Sequence, residues 1–206
     1  MSYTLYGNKG SGSFAVEAAL ALSGAAYDLI EIDTRSEEQL GPAFSALNPM
    51  RQVPALRLPD GTTMTESAAI VIHDAAAHPE KGLAPSAGTS AHAHFLRAMV
   101  FMSVNLYEGD LRYFYPERYT ANAAGVAGVK AAGAAHMKKS FAVIEAMIGD
   151  RPYLCGDAFS VADPYLAMLT EWSPAPIAVA RIGAIVAAVK AHPTIAPLWR
   201  KHGFKP

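Results

Sequence analysis

A turn rich in glycine and serine, close to residue 10, has residue types that could bind an anion. Gly10-Ser11-Gly12-Ser13 lies between a strand-like segment, SYTLYG, and a helix-like segment, SFAVEAALALSG. The first N–H groups of a helix are unpaired and carry partial positive charge, so they attract anions. A thiolate placed there would also accept hydrogen bonds from Ser11 or Ser13, which favours the ionised thiol. Capping of the helix is the expected role of Ser13, whereas Ser11 is freer to face a ligand.

The same turn also fits a dinucleotide-binding pattern. Residues 10–15 match G-x-G-x-x-A, and Asp33 follows at the end of the next strand-like segment, where such a site needs an acid for the ribose. A dinucleotide fold requires further parallel strands joined by helices. This sequence continues instead into a hairpin pattern at Pro59-Asp60-Gly61. A dinucleotide-dependent oxidoreductase that uses Gly10, Gly12 and Asp33 is therefore the less favoured alternative.

A second candidate ligand-binding segment is RQVPALRL, residues 51–58, in which a proline interrupts an apolar run. Proline cannot donate to a sheet and sits at its edges or ends, so the neighbouring Val53 is predicted to have unpaired main-chain groups. A cis Val53–Pro54 bond would turn Val53 outward, where it could bind an extended peptide as an added strand does. Glu66-Ser67 begins a helix-like segment, whose start would bind a carboxylate while the acid binds an amine. These features predict a site for a small peptide that has a free α-amino acid end and a thiol.

The motifs NPMRQVPAL and TESAAI together resemble the glutathione-binding half of the glutathione S-transferase family. The first motif is particularly similar to the zeta class, whose members include isomerases, although GSGSFAVE replaces the zeta-type SSC signature. The resemblance covers the whole chain. It implies that the main chain of Val53 pairs with the cysteinyl part of glutathione and that Pro54 is a cis-proline. The other glutathione contacts that it implies come from polar residues: Gln39, Gln52, Glu66 and Ser67.

The resemblance also implies a catalytic group that activates the thiol of glutathione. In the family this group is a Tyr, Ser or Cys near the end of the first strand or the start of the first helix. Tyr6 lies near the tyrosine position, while glycines occupy the usual serine position and the beta-class cysteine position. Ser11 lies between those two glycines and is the preferred candidate, with Tyr6 and Ser13 as alternatives. Because no cysteine is near this turn, reduction through a protein–glutathione disulfide is not expected.

The sequence predicts two domains of different class. Residues 1–80 alternate strand and helix patterns, the segment HPEKGLAPSAGTS is typical of a linker, and residues 88–206 contain only helix patterns. The predicted fold class is α/β plus all-α, with a thioredoxin-like N-terminal domain followed by a C-terminal helical bundle. Helical spacing covers residues 91–110, 120–149, 161–172 and 175–191.

The aromatic-rich segment NLYEGDLRYFYPERY, residues 105–119, is the candidate for binding a second substrate. Aromatic residues at helical spacing more often belong to a core, but they can also line an apolar pocket. The family resemblance implies that a small hydrophobic electrophile binds between the domains. The candidate pocket residues are Asn105, Tyr107, Leu111, Tyr115 and Trp172.

Other polar residues of the helical half are expected to be structural. FSVADPYLA contains Ser160 and Asp163 in an S-x-x-D capping box before an apolar run. Cys155, the single cysteine, is expected to be a small core residue. His92 and His94 lack the i, i+4 spacing of a helical metal site, and no metal is expected.

Composition narrows the class of protein. The chain has 206 residues, a net charge of −1, 51% hydrophobic and 17% charged residues, which is typical of a globular protein and argues against nucleic acid or an anionic membrane as partner. One cysteine excludes an internal disulfide framework and favours the cytoplasm. The expectation is a cytoplasmic, homodimeric glutathione transferase of the detoxification type, with isomerase or peroxidase activity left open. The main alternative is a non-catalytic glutathione-binding or interaction module with the same fold.

Overall fold

The computed structural model describes residues 2–174 and 179–205 and divides the chain into two compact units. Residues 1–84 and 189–206 form the first unit, and residues 85–188 form the second. The domains predicted from the sequence are 1–80 and 88–206, so the principal difference is residues 189–206, which pack with the first unit. Residues 175–178 of the predicted last helix lie outside the described residues.

The first unit contains a four-stranded sheet. Its strands are β1 (Tyr3–Gly7), β2 (Tyr27–Glu31), β3 (Ala55–Arg57) and β4 (Thr63–Met64), in the spatial order β2-β1-β3-β4. β1 and β2 are parallel, whereas β3 is antiparallel to both β1 and β4. β1, the helix after it and β2 thus form a parallel βαβ unit, and the predicted hairpin is confirmed. The antiparallel pairs do not belong to a doubly wound parallel sheet, which removes the structural basis of the dinucleotide alternative.

The helices of the two units follow the apolar spacing of the sequence. The first unit has α1 (Ser13–Ser23), α2 (Pro42–Leu47) and α3 (Ser67–Ala77). The second unit has α4 (Ser90–Phe101), α5 (Glu108–Phe114), α6 (Val126–Ile148) and α7 (Ala162–Trp172). α8 (Ala180–Ala191) passes from the second unit to the first, and α9 (Ile195–Lys201) belongs to the first.

One of the predicted helices, over residues 91–110, is interrupted. Residues 91–110 form α4 and the start of α5, joined by a π-helical segment, Met102–Tyr107. Residues 37–49 form a 3-10 turn, Glu38–Leu40, and then α2, with extended Gly41 between them. α9 carries Pro197 in its first turn, a position at which proline is compatible with a helix. α9 is not among the helices predicted from the sequence, because such a proline is equally typical of a loop.

α1 is the central helix of the first unit. Phe14, Val16 and Leu20 are fully buried, together with Leu5 of β1. The helix ends at Gly24, whose φ of 74° is the left-handed conformation that favours glycine after a helix. The helix-like segment of the sequence, SFAVEAALALSG, ends at the same glycine.

The segment 189–206 joins the first unit because it covers Phe14 of α1. The Phe14 ring makes edge contacts with Trp199, His202 and Phe204, at centroid distances of 5.3, 5.2 and 5.0 Å. Edge-to-face contacts of this kind stabilise aromatic clusters beyond their buried area. The indole N–H of Trp199 donates to the carbonyl of Lys205 at 2.7 Å, which closes the segment on itself.

The second unit is built on a close crossing of α5 and α6. A Cβ added at Gly109 would lie 2.5 Å from Cγ of Met137, and one added at Gly133 would lie 3.0 Å from the carbonyl oxygen of Gly109. Both distances are too short for a side chain, so the two glycines permit the approach of the helices.

Asp163 holds the start of α7. Its Oδ2 accepts the Ser160 N–H at 2.7 Å and the Ser160 hydroxyl at 3.1 Å, and its Oδ1 accepts the Leu154 N–H at 2.9 Å. The reach of Asp163 back to Ser160 N–H is the contact that the S-x-x-D pattern predicts. The Ser160 hydroxyl differs from the pattern, because it donates to the carboxylate instead of accepting an N–H of the helix.

Within the described ranges, no single helix is both long and apolar enough to cross a membrane. Among the helices that the structure describes, one pair, α8 and α9, reaches the required length and composition when taken together, but the two helices are bent by 94° relative to each other.

Candidate active site

Three segments of the first unit meet at one edge of the sheet, the edge at which β1 ends and β3 begins. In the observed register Tyr6 lies opposite Ala55, and Leu56 lies opposite Met64. Because β3 is antiparallel to β1 and to β4, the residues before Ala55 lie beside the end of β1 and the start of the segment that follows β4. The turn after Gly7, the main chain of Val53 and the start of α3 are therefore neighbours at this edge.

Val53 offers an unpaired main chain at this edge. The Val53–Pro54 peptide bond is cis, as predicted. β3 begins only at Ala55, and among the described residues neither the N–H nor the C=O of Val53 makes a hydrogen bond. The side chain of Val53 packs against a buried cluster of Ile32, Phe44 and Ala55. Val53 is thus anchored by its side chain and has its main-chain groups available.

The loop before Val53 is ordered by Asn48, which the sequence analysis did not single out as a functional residue. Its Nδ2 donates to the carbonyl of Gln52 at 2.6 Å, and its Oδ1 accepts the Met50 N–H at 3.0 Å. Asn48 is 4% exposed, so both bonds form away from bulk water. The signal in the sequence is the pair Asn48-Pro49, which is typical of the end of a helix.

A closed ring of hydrogen bonds joins Asn8, Ser11 and Ser13. The Asn8 N–H donates to Ser13 Oγ at 3.1 Å, the two serine hydroxyls are 2.9 Å apart, and Ser11 Oγ donates to the Asn8 carbonyl at 2.6 Å. Since the single hydroxyl proton of Ser11 goes to Asn8, Ser13 is the donor between the serines. The ring fixes the turn between β1 and α1.

The expected capping role of Ser13 is wrong. Ser13 is the first residue of α1, and its Oγ accepts an N–H from the preceding turn, at Asn8, instead of one from the helix. Ser11 Oγ accepts the Ser13 N–H at 3.2 Å. Ser13 is 1% exposed, while Ser11 is half-buried, so Ser11 is the serine that a ligand can reach. The N–H of Gly12 makes no hydrogen bond with any described residue and adds a free donor to this turn.

Tyr6 is the second hydroxyl that the fold brings to this region. It is partly buried on β1 and packs against the same apolar cluster as Val53. The guanidinium of Arg57 lies 5.7 Å from the centre of its ring. The hydroxyl of Tyr6 has no hydrogen-bond partner in the described part of the chain.

The residues expected to hold the ends of a peptide lie on both sides of Val53. Glu66 directly precedes α3, is exposed, and has φ 66° and ψ 99°. A non-glycine residue in such a conformation is strained, and strained residues concentrate at ligand sites. Ser67 is 7% exposed at the start of α3. Gln52 is exposed, whereas the Oε1 of Gln39 is buried and lacks a hydrogen-bond partner among the residues that the structure describes.

The candidate pocket residues of the second unit are only partly brought together. The rings of Tyr107 and Trp172 meet edge to face at 5.2 Å. Asn105 is held by the π-helical segment, where its Nδ2 donates to the Phe101 carbonyl at 3.0 Å, and its Oδ1 lies 3.1 Å from Nε2 of His136. The other two candidates have different surroundings: Leu111 is half-buried on α5, and the guanidinium of Arg118 lies 4.1 Å from the centre of the exposed Tyr115 ring.

Residues 2–174 and 179–205 contain no group of three or more His, Cys, Asp or Glu side chains placed to hold a metal ion. Nε2 of His94 lies 3.2 Å from the carbonyl of Leu154 and 3.0 Å from the guanidinium of Arg151. Cys155 is buried, as predicted, and its burial together with the charge of Asp163 raises the pKa of its thiol to about 12.

Cys155 is therefore expected to be unreactive in the folded protein. Only the thiolate reacts with a disulfide reagent, so at pH 8 labelling of native Cys155 should be at least about 100-fold slower than labelling in urea, where the thiol recovers its ordinary pKa. Following the release of the aromatic thiol from Ellman's reagent measures both rates. Rapid, stoichiometric labelling of the native protein would contradict the buried position.

Comparison with known proteins agrees with this architecture. Residues 13–73 match the glutathione S-transferase N-terminal domain, and residues 127–187 match the glutathione S-transferase C-terminal domain. The chain belongs to the glutathione S-transferase family.

Individual relatives cover most of the chain or a part of it. The glutathione S-transferase GstA of Escherichia coli O157:H7 is 27% identical over 173 residues, which are 82% of this chain and 81% of the relative. Maleylacetoacetate isomerase of Rattus norvegicus is 42% identical, but over 65 residues, which are 31% of this chain and 30% of the isomerase. A solved glutathione transferase homologue from Sulfitobacter, with bound glutathione, superposes with a TM-score of 0.90 and 28% identity, covering 99% of each chain.

Proposed function

We propose that this protein binds glutathione at the edge of the sheet in its first unit and adds the glutathione thiolate to a small hydrophobic electrophile. The observation that carries the proposal is the unpaired main chain of Val53, which can pair with an extended peptide. The Sulfitobacter homologue, similar over the whole chain, contains bound glutathione, and this supports glutathione as that peptide. As the family resemblance implies, the protein is proposed to act as a cytoplasmic homodimer.

Each part of glutathione has a candidate partner at this edge. The N–H and C=O of Val53 would pair with the main chain of the cysteinyl residue. The carboxylate of Glu66 would bind the α-amino group of the γ-glutamyl residue, while Ser67 and the start of α3 would bind its carboxylate. Gln39 would donate its amide N–H to the glycyl carboxylate, and Gln52 borders the same position.

The thiol would lie at the turn before α1. There the Gly12 N–H and the Ser11 hydroxyl can both donate to sulfur, and the start of α1 favours negative charge. The proton leaves the thiol for solvent, and the thiolate then attacks an electrophilic carbon. As the carbon–sulfur bond forms, either the bond to a leaving group breaks and the group departs with its electron pair, or a π bond breaks and the adduct takes a proton from solvent. Lowering the thiol pKa from about 8.5 toward 6 or 7 raises the thiolate fraction at neutral pH by roughly ten- to a hundred-fold. Orientation of the two substrates must supply the remaining acceleration.

A second candidate function is a module that binds glutathione without activating it. The hydroxyl proton of Ser11 is donated to the Asn8 carbonyl at 2.6 Å. To donate to sulfur, this hydroxyl must rotate away from Asn8. A protein in which it does not rotate would bind glutathione and leave its thiol pKa unchanged.

The decisive measurement is the thiol pKa of bound glutathione, followed by ultraviolet absorbance of the thiolate across pH, with binding measured by calorimetry. Ser11→Ala is expected to raise this pKa by about one unit and to lower kcat/KM about ten-fold, with glutathione affinity nearly unchanged. Tyr6→Phe and the exposed control Ser86→Ala should match the wild type. A dependence on Tyr6 instead of Ser11 would transfer the catalytic role to Tyr6. If the wild type does not shift the thiol pKa of bound glutathione, the protein is the non-catalytic binding module. If it does not bind glutathione, both functions are overturned.

A further inference from the structure

We propose that His202, held by Glu17, positions the turn that carries Ser11 and Gly12, and so sets the ability of that turn to stabilise the glutathione thiolate. This inference rests on the function proposed above. His202 was not a candidate in the sequence, because it is separated from the turn by 192 positions.

His202 bridges the turn and α1 through both of its ring nitrogens. The N–H of Gly10 donates to Nδ1 of His202 at 3.2 Å, and Nε2 of His202 lies 2.8 Å from Oε2 of Glu17. An imidazole nitrogen that accepts an N–H carries no proton itself. The hydrogen-bond pattern therefore assigns the proton to Nε2, which donates it to Glu17. His202 is 6% exposed, so water does not compete for these contacts.

Glu17 is a fixed negative charge at the base of this bridge. It lies on α1, is 1% exposed, and accepts hydrogen bonds from His202, Lys201 and, at 2.9 Å, the hydroxyl of Tyr27. Burial alone would raise the pKa of Glu17, but these hydrogen bonds and the charge of Lys201 lower it to about 2. A carboxylate held in this way orients the imidazole and selects its tautomer, as carboxylates do for histidines in other sites.

The contact with Gly10 acts on the donors that the proposed chemistry needs. Gly10 has a φ of 69°, a conformation that reverses the chain just before Ser11. With the Gly10 N–H held by His202, the following residues are placed so that Ser11 meets Asn8 and Ser13 and the N–H of Gly12 stays unpaired. Loss of the Gly10 anchor would let the turn shift relative to the bound thiol, and displacements of about 1 Å at a reacting group can cost up to about 100-fold in rate. His202 touches none of the reacting atoms and is a positioning residue.

His202 also packs on Phe14 and Phe204, with ring centroids at 5.2 and 5.9 Å, so its removal could destabilise the first unit without any effect through Gly10. Two amide variants separate these roles. His202→Asn places an amide oxygen near the Nδ1 position and keeps an acceptor for Gly10, while it loses the donor to Glu17. His202→Gln reaches the Nε2 position and keeps a donor to Glu17, while it loses the acceptor for Gly10.

We expect His202→Gln to lower kcat about ten-fold and to raise the thiol pKa of bound glutathione by at least about half a unit, with KM for glutathione within about two-fold of the wild type. His202→Asn should retain most of the activity. His192→Gln is the matched control, since Nδ1 of His192 also accepts a main-chain N–H, from Thr194 at 3.3 Å, but away from the turn. Melting temperatures of all variants show how much of each loss of activity is due to a loss of stability.

Two measurements test the inference. One compares the activities of His202→Gln and His202→Asn, and the other follows hydrogen exchange of the main-chain N–H of Gly10. The inference would be overturned if His202→Gln and His202→Asn lost activity equally and in proportion to their losses of stability. Hydrogen exchange of the Gly10 amide, followed by NMR without glutathione, should be faster in His202→Gln and nearly unchanged in His202→Asn, and equal exchange rates would also overturn it. If the wild type fails to shift the thiol pKa while the Gly10 amide responds as expected, the proposed function fails and the anchoring of the turn stands.

Discussion

Asp110→Asn is expected to increase the free energy of unfolding by about 4 kcal/mol at pH 7. Asp110 lies on α5, is 3% exposed, and neither of its carboxyl oxygens has a hydrogen-bond partner among the residues that the structure describes. Burial raises the pKa of this carboxyl to about 8. The folded protein therefore keeps Asp110 protonated at neutral pH, whereas the unfolded chain releases the proton near pH 4.

The pH dependence of stability follows from this difference. Because the folded state holds a proton that the unfolded state has lost, stability falls as pH rises from about 4 to about 8, with a limiting slope of about 1.4 kcal/mol per pH unit. Asparagine has no proton to lose, so the variant lacks this contribution and gains most, relative to the wild type, at the upper end of the range.

Urea unfolding between pH 6.5 and pH 8 measures the effect. This window lies above the pKa of Asp163, which burial raises to about 6 against the opposing hydrogen bonds from Leu154 and Ser160. Across it the wild type should lose about 1.5 kcal/mol more than Asp110→Asn. The exposed Asp157→Asn serves as the control and should follow the wild type. Parallel pH profiles for the wild type and Asp110→Asn would show that Asp110 has an ordinary pKa in the folded protein.

Asp163→Ala is expected to lower the free energy of unfolding by about 3 kcal/mol. The change removes three hydrogen bonds at the start of α7 and leaves the N–H groups of Leu154 and Ser160 without their acceptor in a buried position. Each buried donor that loses its partner costs about 1–3 kcal/mol, which exceeds the ordinary loss of about 1 kcal/mol for a helix cap.

Ser160→Ala provides the matched comparison, because it removes the hydroxyl alone and keeps both N–H contacts with Asp163. Its cost should be about 1 kcal/mol. Urea unfolding at pH 7 gives both values, and glutathione binding to the folded fraction should be unaffected in either variant. A loss below about 1 kcal/mol in Asp163→Ala would mean that the N–H groups find other acceptors.

The local structure of the first unit was predictable because it depends on neighbouring residues. Gly24 ends α1 because glycine tolerates positive φ, and Asp60-Gly61 closes the β3–β4 hairpin, in which the Leu58 N–H donates to the Thr62 carbonyl at 2.8 Å. The unpaired position of Val53 follows from the proline after it. Each of these features is determined within a few residues of the motif that signals it.

The remaining features depend on contacts that no local pattern records. His202 reaches Gly10 across 192 positions, and nothing in the spacing around either residue indicates their partner. Ser13 accepts the N–H of Asn8 instead of capping α1, and this contact forms because the turn brings Asn8 back toward the start of α1. From the sequence, an acid within a helix such as Asp110 is expected to face solvent, because burying an unpaired acid is costly. The packing of the second unit shows that Asp110 is buried.

The packing of residues 189–206 on α1 also bears on the order in which the protein can fold. During synthesis residues 1–84 are made first, and at about 5–20 residues per second the ribosome needs roughly 5–20 s to add the residues that precede 189. Over that interval Phe14 lacks the cover of Trp199 and Phe204, and Gly10 lacks its acceptor on His202. The nascent first unit can thus form its sheet early, while the turn before α1 acquires its final anchor only after residue 202 has emerged.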